Sequence, residues 1–207
     1  MAVKLHSAEI VGLDGEIIDV EIDLARGLFR FSVVGLADKA VDEARERVSS
    51  AIKNSGLKPP QAKNRRVIVS LAPADLKKEG PLFDLAIAIS YLLASKQLFF
   101  DPSDKIFLGE LALDGHLRKI KGALALSMAA ASRGFKEIIL PEENAREASL
   151  VSNIKIFGAK SLGDVARHLS GEAAIPEYPS TVPEKAPLYP VDFGDIRGQE
   201  TAKRGLE

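Results

Sequence analysis

Between Pro81 and Ala94 the chain is apolar on nearly every side: Leu82, Phe83, Leu85, Ala86, Ile87, Ala88, Ile89, Leu92 and Leu93 leave no polar stripe for water. A helix with that pattern has to be covered around most of its circumference, by a sheet and by neighbouring helices. The segment therefore predicts a layered domain with one central helix, whose cover the rest of the chain must supply. Asp84 falls in the first turn, where a carboxylate complements the helix dipole.

The cover is legible on both sides of that helix. Lys4 to Val11, Glu16 to Leu24 and Leu28 to Gly35 read as strands divided by turn signals, with Asp14-Gly15 as a hairpin turn and Gly27 as the next. In the second strand Ile18, Val20, Ile22 and Leu24 alternate with Asp19, Glu21 and Asp23, which gives one apolar and one acidic face. Alternation alone explains the acid row as a solvated sheet face, without a metal site. Asp38 is placed to cap an amphipathic helix carrying Val41, Ala44, Val48, Ala51 and Ile52 on one stripe, with Glu43 and Arg47 spaced for a surface pair.

A basic, proline-rich loop from Pro59 to Arg66 leads into the strand Val67 to Leu71, and a second basic loop runs from Ala72 to Gly80. Later come a strand near Ile106 to Leu113, an alanine-rich helix from Gly122 to Arg133 and a strand from Lys136 to Leu140. A short helix after Pro141, a strand at Ile154 to Phe157 and a helix at Leu162 to Leu169 complete the alternation. The fold class expected is α+β, a two-layer mixed sheet with helices on it.

Proline recurs at 176, 179, 183, 187 and 190, so residues 171–190 read as a semi-extended linker after a domain of residues 1–170. Residues 191–207 resume with a helix near Gln199 and read as the opening of a further domain. The 207 residues, 46% hydrophobic and 28% charged, are composed like a globular chain. A formal charge of -1 gives no overall attraction to a polyanion, so any nucleic-acid contact must be a local patch. With no cysteine, no signal-like N-terminal run and no long apolar stretch, the chain is expected in the cytoplasm and away from the membrane.

Several chemistries have no support in the residues. Gly194 and Gly198 lack the lysine and hydroxyl that complete a phosphate-cradling loop. His6, His116 and His168 lie in separate elements without metal-ligand spacing, and no serine sits in a hydrolase elbow.

Three stretches together carry a resemblance: GLFRFSVVGLADKAVDEARERVSSAI (Gly27 to Ile52), LAPADLKKEGPLFDLAIAISYLLA (Leu71 to Ala94) and FGDIRGQETAKRGLE (Phe193 to Glu207). They resemble the magnesium-chelatase-like AAA+ ATPases of the ComM/YifB family, across essentially the whole chain. The resemblance implies an N-terminal domain similar in fold to the Lon protease domain and to part of a ribosomal small-subunit protein. It also implies that Asp195 to Glu200 opens an AAA+ module whose Walker A loop would follow Glu207. On the Lon pattern, Leu82 occupies the position of the nucleophilic serine and Leu126 that of the catalytic lysine, and a leucine offers neither nucleophile nor base. Ser127 with Lys121 is the nearest imaginable substitute pair, and it would need its own oxyanion site.

The family likeness implies a non-catalytic domain that helps assemble a hexameric ring and guide DNA for ATP-driven branch migration in natural transformation. ATP and magnesium would belong to the AAA+ module. The alternatives are the motor subunit of a magnesium chelatase in tetrapyrrole synthesis and, against Leu82 and Leu126, a Lon-type peptidase. The candidate DNA contacts are Lys58, Lys63, Arg65 and Arg66, joined by Lys77 and Lys78. Such charges meet phosphates without reading sequence, or they form a solvated face; no aromatic is interleaved with them in the chain.

Overall fold

The computed structural model describes residues 3–35, 39–180 and 193–206. The chain runs β1 (Val3–Val11), β2 (Asp14–Arg26), β3 (Arg30–Val34), α1 (Lys39–Asn54), β4 (Arg65–Ala72) and α2 (Asp84–Ala94). It continues through β5 (Lys105–Phe107), β6 (Glu110–Leu111), β7 (Leu117–Arg118), α3 (Ala123–Ser132), β8 (Glu137–Pro141) and α4 (Glu142–Ala148). Then come β9 (Lys155–Ala159), α5 (Leu162–Leu169), β10 (Glu177–Tyr178) and α6 (Glu200–Leu206).

Among the described residues the main sheet has the order β10-β9-β8-β5-β1-β2-β4-β3, with β6 and β7 paired separately. Antiparallel β1-β2-β4 joins two parallel arms, β3 beside β4 on one side and β5, β8 and β9 on the other. The sheet is mixed and the class is α+β, as the sequence predicts. Consecutive residues of the central strands divide between two cores. Leu5, Phe107, Ile139 and Phe157 pack with α1, α2 and α5, while Ala8, Ile106, Ile138 and Ile156 pack with α3 and α4. The helices therefore cover both faces of the central strands, and the predicted two-layer arrangement holds locally, where β2-β4-β3 keeps one face open.

α2 is the pivot. Leu85, Ala86, Ile87, Ala88, Ile89 and Leu92 are all fully buried, as a helix without a polar stripe requires. It starts three residues later than the apolar run, because Pro81 to Phe83 form a turn in which the Asp84 N–H donates to the Pro81 carbonyl (3.1 Å). Leu82 and Leu85 exchange backbone bonds with Gly109 at 3.0 Å, fixing the start of α2 to the strand end after β5.

The hairpin turn between β1 and β2 is Gly12-Leu13, with Gly12 at φ +66°, where the sequence signal points to Asp14-Gly15. Gly15 serves packing instead. A Cβ there would lie 2.8 Å from the Ala129 side chain and 3.0 Å from the Ala125 carbonyl oxygen, so the bare backbone lets α3 approach the hairpin.

The polar face of α1 also departs from expectation. Arg47 turns inward and its guanidinium donates to both carboxylate oxygens of Asp84, at 2.7 and 3.0 Å, while Asp84 also accepts the Leu111 N–H at 3.2 Å. Asp84 thus ties α1, α2 and β6 together beyond any dipole role. The proposed Asp38 cap and residues 181–190 lie outside the described residues. The linker predicted from 171 begins docked on the sheet: Glu177 and Tyr178 pair with Phe157 and Ile156, and the Ile175 N–H donates to Nδ1 of His168.

Candidate nucleic-acid interface

β2 is long enough to carry Arg26 past the apolar core, and the antiparallel register sets Arg26 beside Arg65 at the start of β4. β3 returns on the other side of β4 in parallel, which sets Arg30 beside Arg66. Three strand ends thus bring four arginines to one end of the sheet. The loop before β4 adds Lys63, and the end of α2 adds Lys96, held at φ +61° as the helix stops. Arg26, Lys63, Arg65 and Lys96 line a shallow depression of about 630 Å³ with Leu24, Ala25, Asn64 and Ala94, and none of these lining residues is acidic. Four cations share one concavity whose lining, among the described residues, holds no carboxylate, an arrangement that attracts phosphates. The acids Glu21 and Asp23 stand further along β2, so the positive character belongs to the strand ends and not to the sheet face.

The sequence candidates divide at this point. Lys63, Arg65 and Arg66 converge at this end. Lys58 flanks it, its N–H and carbonyl bonded to the Gln97 side chain at 2.8 and 3.0 Å, one residue beyond Lys96. Lys77 and Lys78 do not join them, because both follow the far end of β4, a strand about 25 Å long. Lys77 pairs with Glu79 at 2.6 Å. Lys78 is fully buried and its ammonium donates to the Pro73 carbonyl; burial pulls its pKa down, against the attraction of Asp75 and Glu9. A buried ammonium cannot meet a phosphate, so Lys78 leaves the candidate set.

Leu82 lines a cleft of about 520 Å³ with Glu9, Ile10, Glu79, Gly80, Pro81, Glu110, Lys119, Ile120 and Lys121. Leu126 is fully buried in the core with Ile120 and Ala8. The Ser127 hydroxyl is buried too and donates to the Ala123 carbonyl on its own helix at 2.7 Å. Of the imagined substitute pair only Lys121 reaches the cleft. The histidines stand apart: His6 bonds Asp19 at 2.9 Å, His116 lies 3.2 Å from Asp114, and His168 packs on Phe157. Among the described residues no three His, Asp or Glu side chains converge as a metal site would need.

Residues 20–144 match the family model for subunit ChlI of Mg-chelatase. Over 207 aligned residues the chain is 40% identical to the competence protein ComM of Haemophilus influenzae, covering 98% of this chain and 40% of that protein. It is 39% identical to YifB of Escherichia coli over 204 residues, 98% of this chain and 39% of that protein. The chain belongs to the magnesium-chelatase-like ComM/YifB family. It is also similar to the Lon protease of Rhizobium meliloti, 26% identical over 197 residues, 91% of this chain and 24% of that protein. The chain thus spans about two fifths of the length of the ComM and YifB proteins it matches.

In this ComM/YifB member the sequence reading found half of the basic surface. Arg26, Arg30 and Lys96 escaped it because they lie 29 to 33 residues from the basic loop of residues 59–66, and only strand order makes them neighbours. The signal available was the placement of Arg26 and Arg30 at either side of the Gly27 turn, where a hairpin-like end collects charge.

Proposed function

We propose that these residues are the non-catalytic N-terminal domain of a magnesium-chelatase-like AAA+ ATPase. In this reading the domain supports assembly of a hexameric ring and engages DNA for ATP-driven helicase and branch-migration work in natural transformation and recombination, in the cytoplasm. The observation that carries it is the depression lined by Arg26, Lys63, Arg65 and Lys96 without an acidic residue. Cations that meet phosphates displace condensed counterions, which gives binding that ignores sequence and weakens steeply with salt. Such a contact suits a motor that must move along whatever strand it holds. The name of the Haemophilus relative supports the choice of pathway. Among the described residues no helix is long and apolar enough to cross a membrane.

ATP and magnesium are assigned to the AAA+ module. The 207 residues contain no Walker A loop, so no nucleotide step is assigned to them. Among the described residues lining the cleft beside Leu82 there are Lys119 and Lys121 but no serine to pair with them, which supports a binding or scaffolding role over peptide cleavage.

The name of the matched family model favours a second reading, the motor subunit of a magnesium chelatase in tetrapyrrole synthesis. Lon-like similarity across 91% of the chain supports the first. Fluorescence anisotropy with DNA at low salt tests the proposal. Charge reversal by Arg65→Glu with Arg66→Glu is expected to weaken binding by about tenfold or more and to flatten the log-log salt dependence by about 1.5. Unchanged binding in that variant would remove the groove from the proposal. For the full-length protein, ATP turnover that rises with branched DNA separates the first reading from a porphyrin-dependent motor.

A further inference from the structure

Phe29 lines a depression built from the chain segments next to those that line the basic one. It lies in the turn between β2 and β3, 38% exposed, and Leu28 beside it is 89% exposed. With Arg30, Arg45 and Gln61 it lines a second depression of about 230 Å³. Gln61 belongs to the loop that sends Lys63 into the larger depression, and the Gly27 N–H donates to the Asn64 carbonyl of that loop at 3.4 Å. The two depressions therefore draw on the same two stretches of chain, 24–31 and 61–65, which the Gly27 to Asn64 bond ties together. Cations run along this end from Lys96 through Arg26, Lys63 and Arg65 to Arg30 and Arg45; of the two aromatics that line the smaller depression, Phe31 is buried and Phe29 is exposed. The one carboxylate lining the smaller depression, Glu46, is 3.8 Å from Arg45.

An exposed aromatic ring next to a phosphate-binding track finds no free base face on an undistorted duplex, whose bases are already stacked on each other and cost energy to unstack. On a single strand every base offers a free π face, and a ring beside the backbone track can hold one. Arginine beside the ring adds a planar cation to the same contact. We infer that this end of the sheet is a single-strand-binding surface in which Phe29, flanked by Arg30 and Arg45, stacks a base while Arg26, Lys63, Arg65 and Lys96 hold the phosphates. The inference rests on the nucleic-acid reading proposed above and adds the form of the ligand. Phosphate and base are common to DNA and RNA, so the ligand class is single-stranded nucleic acid.

The test is an anisotropy titration of this chain at low salt with an oligothymidine, an oligouridine and a duplex, each of about 20 nucleotides per strand. Phe29→Ala is expected to weaken single-strand binding by about 5- to 100-fold and leave duplex binding unchanged, and Phe29→Tyr to restore it. Leu13→Ala, which removes a 91% exposed leucine at the opposite end of β2, is expected to change neither. Cross-linking of an iodouracil-substituted strand to the unmutated chain, mapped to the peptide containing Phe29, reads the same contact without a variant. If Arg65→Glu weakens both ligands while Phe29→Ala changes neither, or changes both alike, the stacking inference falls and the nucleic-acid reading stands. If the unmutated chain binds no nucleic acid at low salt, both fall. Tighter binding of the thymidine strand than the uridine strand makes DNA the ligand, and equal binding makes it either; both outcomes support the surface.

Discussion

Asp84 shows how a residue's surroundings change its role. Its side chain is 1% exposed, and burial, the largest influence, pushes its carboxyl up to about 6 against the pull of Arg47. Arg47 in turn is raised, first by its hydrogen bond to Asp84. Removing one partner takes away the opposite charge that compensates the other at a buried site, so Asp84→Ala or Arg47→Ala is expected to cost about 3 to 5 kcal/mol in chemical denaturation. The joint Arg47→Met and Asp84→Leu variant is expected to come back close to the unmutated stability, because it removes both desolvation costs. The folded carboxyl holds its proton where the unfolded one, near 3.8, has released it. Its stabilising contribution is therefore complete below about pH 4 and is lost as pH rises through 6, by up to about 3 kcal/mol. Stability measured across that window should lose this slope in Asp84→Asn; an unchanged slope would place the titration elsewhere. Lys78 makes the same point in reverse: a residue that composition marks as a phosphate contact is consumed by the Pro73 carbonyl inside the fold.

At the scale of elements, the close approach of α3 to the β1-β2 hairpin depends on a missing side chain. Gly15→Ala puts a methyl against Ala129 and the Ala125 carbonyl, and is expected to destabilise by about 1 to 3 kcal/mol, seen as a lowered melting temperature. Truncation of α2 tests its packing from the opposite direction. Ile87→Ala empties a fully buried position and is expected to cost about 2 to 5 kcal/mol. The elements themselves were largely legible. Period-two alternation marked β2, a continuous apolar run marked α2, and the α5 helix begins with Ser161 accepting from the Asp164 N–H as a capped helix should. The misplaced features were those where one residue type serves two purposes. Asp-Gly is a turn signal, yet at 14–15 the glycine answers to α3, and the turn falls on Gly12-Leu13.

For the whole molecule, the sheet order decides which distant residues share a surface. β3 crosses through α1 to lie outside β4 and not beside its neighbour β2, and so the arginines at 26, 30, 65 and 66 gather at one end while Lys77 is carried to the other. If that gathered charge is the functional surface, the paired Arg65→Glu and Arg66→Glu change should lower nucleic-acid affinity without lowering the melting temperature, since Arg66 is exposed and Arg65 partly so. The sequence by itself determined the fold class, most element identities and the buried character of α2. Those follow from local periodicity and residue chemistry, which a chain carries wherever it folds. Tertiary structure alone decided that Arg26, Arg30, Lys96 and Phe29 join the basic loop, that Lys78 is withdrawn from it, and that Arg47 turns inward to Asp84. All but one of those are contacts between segments far apart in the chain, set by strand order and by the cost of burying charge without a partner; the exception is Lys78, whose ammonium meets the Pro73 carbonyl in its own loop.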